Sequence, residues 1–114
     1  MNAMLSRAAY EDANMTITFP DEVPQFDGAN LTLRFTAAVD GEPVDCYITA
    51  EALQDHFGAD SALEDALLDA FERGRQRIRS VCAEVLDLNR GESVVLRSGL
   101  FRVEGMEPGR GFTA

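Results

Sequence analysis

Lysine is absent from this chain of 114 residues, histidine occurs once and cysteine twice. Without lysine, and with no helix to follow them, Gly105, Gly109 and Gly111 cannot form a phosphate-cradling loop of the Walker type. One histidine and two distant cysteines offer no zinc spacing, and no acidic run follows the calcium-loop pattern. Neither a metal site nor a cofactor is therefore expected. Internal repeats are lacking, and no apolar stretch approaches the length of a membrane span. The stretch from Met1 to Met15 carries neither a basic start followed by an apolar run nor a cleavage site. A soluble, reduced, cytoplasmic protein with no membrane partner is the expectation.

What is present is acid. Twenty Asp and Glu face ten basic residues, all arginine, for a formal charge of −10. That balance favours solubility and opposes contact with nucleic acid or anionic lipid, so a basic or neutral partner fits better. Arginine without lysine, together with fifteen alanines, fits a GC-rich bacterial genome. The length suits one domain with a single core, which needs no metal or disulfide staple. Residues 1–14 read as a flexible or weakly helical arm, 15–104 as the α+β domain and 105–114 as a loose tail.

The segment from Asn30 to Gly58 carries the clearest pattern. Leu31, Leu33, Phe35, Ala37 and Val39 alternate with Thr32, Arg34 and Thr36, as a strand buried on one face requires. Asp40-Gly41 tolerates the positive φ of a tight turn, after which Val44, Cys46 and Ile48 point inward and Asp45, Tyr47 and Thr49 outward. An antiparallel hairpin follows. Pro43 lacks an N–H and belongs at the strand's first residue or on an edge. Thr49 is placed to cap a short helix with Ala50, Leu53 and Phe57 on one side, ended by Gly58.

An earlier strand is expected at Met15, Ile17 and Phe19, joined to the hairpin by a loop, Pro20 to Gly28, in which Val23 and Phe26 tuck down. A long helix is expected from Ser61 to about Leu88, opened by the capping-box spacing of Ser61 and Glu64. Its apolar stripe runs through Leu63, Ala66, Leu67, Ala70, Phe71, Gly74, Ile78, Val81, Cys82 and Val85. Gly74 inside it costs about 1 kcal/mol against Ala, which either a close approach or a local bend would explain. Asn89-Arg90-Gly91 ends the helix, and Val94 to Arg97 with Leu100 to Glu104 read as a closing hairpin. The expected fold is α+β: a mainly antiparallel sheet in the order β-β-β-α-α-β-β, with one short and one long helix on one face.

Few residues offer chemistry. Cys46 and Cys82 fall on apolar faces, where free cysteine behaves as a small hydrophobe. His56 lies in the last turn of the short helix, suited to the helix dipole. Pairing it with Cys46 as base and nucleophile requires the helix to fold straight back, and no oxyanion hole or orienting group can be named. The weak catalytic candidates are thus Cys46 and His56. Arg73 and Arg77 border one edge of the stripe, Arg75 and Arg79 the other; their stems can lie along it with the heads in water, or one pair can grip a carboxylate or phosphate. The outer face of the hairpin adds Arg34, Thr36 and Tyr47 as binding candidates.

Phe19-Pro20, the strand Leu33 to Phe35, Gly41, the run Val44-Asp45-Cys46-Tyr47-Ile48, Ala52-Leu53, His56-Phe57-Gly58-Ala59, Ala70-Phe71 and Arg75 to Ile78 stand in an order that resembles a family of short bacterial proteins, DUF1488. The likeness covers about residues 15–104. It implies a small α+β fold with helices packed on a sheet, and carries over no catalytic residue, substrate or cofactor. Two functions of different class are expected. The first is a non-enzymatic interaction module, self-associating or bound to a protein partner, because hairpin edges and an outward face are available. The second is a small-ligand binder or enzyme with a pocket near Cys46 and His56.

Overall fold

The computed structural model describes residues 15–106; the arm expected over 1–14, and the expected tail from residue 107 on, lie outside the described residues. Five strands form one sheet: β1 (Ile17–Thr18), β2 (Gln25–Asp27), β3 (Thr32–Val39), β4 (Glu42–Thr49) and β5 (Val94–Leu96). The helices are α1 (Ala50–His56), α2 (Glu64–Arg73), α3 (Arg75–Leu88) and α4 (Ser98–Met106). The fold is α+β and the sheet mostly antiparallel, as the sequence pattern requires.

The hairpin β3–β4 is the frame. Asp40 and Gly41 both take positive φ, 52° and 87°, giving a two-residue turn whose twist matches the strands. Such a turn makes Val39 and Glu42 a hydrogen-bonded pair, so Pro43 falls opposite Ala38 in a non-bonded pair, where its missing N–H costs no ladder bond. β1 and β2 share the other edge of β3, β1 at Ala38–Val39 and β2 at Thr32–Arg34. Asp40 secures this edge, its carboxylate accepting from the N–H of Thr16 at 3.0 Å while its own N–H donates to the Thr16 carbonyl at 2.8 Å.

The four helices of the described residues belong to the segments after β4. Thr49 caps α1, its Oγ1 accepting from Ala52 N–H at 3.1 Å, and Gly58 follows the helix at φ 78°. Leu33, Phe35, Ala37, Cys46, Ile48, Val94 and Leu96 line the covered face of the sheet, and Leu53, Leu67, Phe71, Ile78, Cys82, Leu86 and Phe101 answer from the helices. Burial of each large apolar side chain contributes about 1.5–3 kcal/mol before entropy is subtracted.

Five expectations change. Leu31 is not on the inward face; it stands at φ 52°, exposed, and β3 starts at Thr32. Val23 is 75% exposed, and Pro24 is the buried residue of its loop, which also holds the short strand β2. The long helix begins at Glu64 rather than Ser61, because the Ser61 hydroxyl accepts locally from Leu63 N–H at 3.2 Å and leaves Leu63, exposed, as the residue before the first turn. That helix is also divided at Gly74. A Cβ there would lie 2.1 Å from Cδ1 of Phe57, so the ring that ends α1 occupies the space of a side chain, and close approach and bend coincide.

The closing hairpin is the fifth. Val94–Leu96 forms a strand, but it pairs parallel to β4, and Leu100 to Glu104 belong to helix α4. Phe101 supplies the reason: it is fully buried, edge-on to Phe57 at 5.2 Å between ring centres. A strand turning back along β5 would carry that ring away from the cluster.

Candidate functional site

Register places the outward side chains of four strands in straight rows. Gln25 of β2 faces Arg34 of β3, Arg34 faces Tyr47 of β4, and Tyr47 faces Val95 of β5. One step along, Asp27 faces Thr32 and Thr32 faces Thr49, with Arg97 following the end of β5 on the same side. One step the other way, Thr36 faces Asp45. These rows lie on the face opposite the helices, because the residues that alternate with them along β3, β4 and β5, namely Leu33, Phe35, Cys46, Ile48, Val94 and Leu96, are buried on the other side.

The bare face has its own polar order. Arg34 donates to the Gln25 side-chain oxygen and stands 3.6 Å from the Asp45 carboxylate. Asp27 accepts from the backbone N–H of Ala29 and Asn30 and from Asn30 Nδ2, at 2.9–3.1 Å. Those bonds from Asn30 hold its carboxyl below the ordinary carboxylate value. Two depressions flank Tyr47. The larger, about 460 Å³, is lined by Asp27, Asn30, Thr32, Tyr47, Thr49, Val95 and Arg97. The other, about 440 Å³, lies over Gln25, Phe26, Gly28 and Arg34.

The two catalytic candidates are not brought together. Cys46 is fully buried against Cys82, and its thiol donates weakly to the Val44 carbonyl at 3.7 Å. The hydrogen bond to Cys46, with burial, pushes the Cys82 thiol well above its usual value, which keeps it protonated. His56 turns to the start of α4 instead. Its Nε2 lies 3.0 Å from the Ser98 carbonyl and 3.1 Å from Ser98 Oγ, and Ser98 Oγ donates to Asp55 Oδ2 at 2.6 Å. A carbonyl only accepts, so Nε2 carries a proton and cannot serve as base toward that hydroxyl. The carboxylate bonds the serine rather than the far nitrogen of the imidazole, unlike a triad. The constellation fastens α1 to α4.

The four arginines divide as the helical projection requires, and each has structural work. Arg73 donates to the carbonyls of Phe57 and Gly58, both at 3.0 Å. Arg77 donates to the Phe101 carbonyl at 2.9 Å, its guanidinium 5.4 Å from the centre of the Phe57 ring. On the other edge Arg75 reaches Asp21 at 3.1 Å and also bonds Glu72, while Arg79 lies over Phe19 at 5.5 Å. Arg75 and Arg79 thereby tie the β1–β2 loop to α3. Alternation places Thr32 on the bare face, whereas sequence reasoning missed Gln25, Asp27, Val95 and Arg97 as members of it. Alternation could also have assigned the side of Val95, but not the register that aligns it with Thr32 and Tyr47.

Among the described residues, no three His, Cys, Asp or Glu side chains converge as metal ligands, and no helix is long and apolar enough to cross a membrane. A family model described as "Protein of unknown function (DUF1488)" matches residues 17–96. The crystal structure of a protein of unknown function from the DUF1488 family of Shewanella loihica PV-4 resembles this fold with a TM-score of 0.63. The two are 24% identical, over 74% of this chain and 96% of that one, a likeness of fold alone. No curated protein matches the chain.

Proposed function

Because the chain belongs to the DUF1488 family of proteins of unknown function, we propose a role for it as a non-enzymatic interaction module that self-associates through the bare face of its sheet. The observation that carries this reading is the one-sidedness of the sheet: helices cover the face of Leu33 and Ile48, while Arg34, Thr36, Asp45 and Tyr47 stand on the other. The groups that could do covalent chemistry are committed elsewhere, Cys46 to the core and His56 to Ser98.

Self-association also has a charge argument. Arg34 and Asp45 are both about half exposed, 41% and 49%, so their mutual ion pair is worth little within one chain. Two copies meeting about a twofold axis can exchange those partners, the arginine of one over the aspartate of the other, which makes the surface self-complementary. Light scattering coupled to size-exclusion chromatography tests this. The expected result is a dimer at high concentration, a monomer for Asp45→Arg, and recovery of the dimer in Arg34→Asp/Asp45→Arg. A wild-type chain that is strictly monomeric at high concentration overturns the reading.

A further inference from the structure

We propose that the larger groove on the bare face binds a peptide of two or three residues as a zwitterion, its carboxylate at Arg97 and its ammonium group at Asp27. The groove shares Tyr47 with the self-association surface, but binding there does not rest on that association.

Geometry sets the length of the ligand. The floor of the groove is the row Asp27–Thr32–Thr49 with Arg97 at its far end, which crosses the sheet from β2 to β5. Three interstrand spacings of roughly 4.8 Å separate the two ends, about 14 Å between backbones. A tripeptide extends over about 10 Å, and the Asp and Arg side chains reach inward by the remainder. The volume, about 460 Å³, falls within the range of small-molecule sites, roughly 300–1,000 Å³.

Chemistry sets its ends. A single cation and a carboxylate occupy opposite ends of the lining, so a ligand charged oppositely at its two termini satisfies both. A polyanion such as a nucleotide meets Asp27, which stays ionised through its bonds from Asn30, and a chain of net charge −10. Arg97 can hold a carboxylate through two parallel N–H donors.

The floor supplies the second observation. Thr32 is only 7% exposed, yet its hydroxyl is the buried side-chain group that has no hydrogen-bond partner among the described residues. An orphaned buried hydroxyl is destabilising, and a peptide amide laid across the groove relieves it once the side chain rotates toward it. Thr49 Oγ1 already accepts from Ala52 N–H, which leaves its own O–H to donate to a ligand carbonyl. Tyr47 and Val95, the latter 40% exposed, form the apolar wall against which a central side chain packs.

Titration calorimetry of the full chain with the tripeptide Ala-Leu-Ala tests the assignment. One site per chain is expected, with affinity weakened at least about tenfold by C-terminal amidation of the peptide and by Arg97→Gln, as loss of a charge-assisted hydrogen bond requires. N-acetylation and Asp27→Asn each weaken it severalfold. Thr32→Val keeps the side-chain shape and removes the hydroxyl; it should weaken binding while leaving the melting temperature unchanged or raised. No binding heat at millimolar peptide, or equal affinity for the acid and the amide, overturns the proposal. Light scattering on the same samples reads self-association separately, so a dimer that ignores the peptide sinks this assignment alone.

Discussion

Two adjacent rows of the same sheet, one residue apart, lead different lives. Leu33, Ile48 and Leu96 pair across β3, β4 and β5 and are wholly buried, whereas Arg34, Tyr47 and Val95, their next neighbours, pair across the same strands and remain partly in solvent. The backbone treats the rows alike, and the alternation of side chains alone separates them. The covered row is answerable to packing and has little freedom. The open row is free of that duty, and polar pairs, a tyrosine and two depressions collect there.

The contrast breaks most visibly under truncation of matched positions. Ile48→Ala should cost about 2–5 kcal/mol, because a fully buried side chain leaves a cavity, while Tyr47→Ala beside it should cost under about 1 kcal/mol. Urea denaturation of the two variants measures the difference, and similar losses would deny that the faces differ in kind. Next in size is Gly74→Ala, on the helix layer. The added methyl must displace the Phe57 ring, so a loss of about 1–3 kcal/mol is expected, where an ordinary glycine-to-alanine change within a helix stabilises. A gain in the melting temperature would mean that the ring moves freely.

The smallest effect belongs to Asp27 on the open face. Its folded-state pKa lies below the ordinary value near 3.8, chiefly through the bonds from Asn30. The unfolded chain therefore takes up the proton first as pH falls. The contribution to stability is fully present above the ordinary value and is lost on descending through it to the lower folded one. Asp27→Asn should leave a stability profile that is flatter over that acid range than the wild type. Parallel profiles from pH 7 to pH 3 would remove Asp27 as a stabilising acid.

How much of this could be read in advance depended on the distance over which the causes act. Local causes were legible: the alternation of β3 and β4, the Asp40-Gly41 turn, the Thr49 cap and the Gly58 stop are each decided within a few residues. The division of the long helix was not, because the Phe57 ring comes from seventeen positions away and only its placement distinguishes a kinked helix from a continuous one. Parallel pairing of β5 and the helical fate of Phe101 have the same origin in contacts between remote segments. The candidate site was half legible. Arg34, Thr36 and Tyr47 follow from alternation on one hairpin, but Asp27 and Arg97 reach Thr32 only through the pairing of β2 with β3 and of β5 with β4, the latter across the helical segment.

The parallel pairing of β5 also bears on the order in which the protein assembles. β3 and β4 are joined by two residues and can zip as soon as they are made, while β5 reaches β4 only after the whole run from Ala50 to Ser93 has been ordered. Closing so long a loop delays that contact, since its entropy must be met before the contact rewards it. Half of the groove, Tyr47 with Thr32 and Thr49, therefore exists on the nascent hairpin, and Val95 with Arg97 completes it in a late step of folding. Recognition at this surface thus waits on the C-terminal part of the chain, and an N-terminal fragment that stops short of β5 would carry the hairpin without the cation that finishes the site.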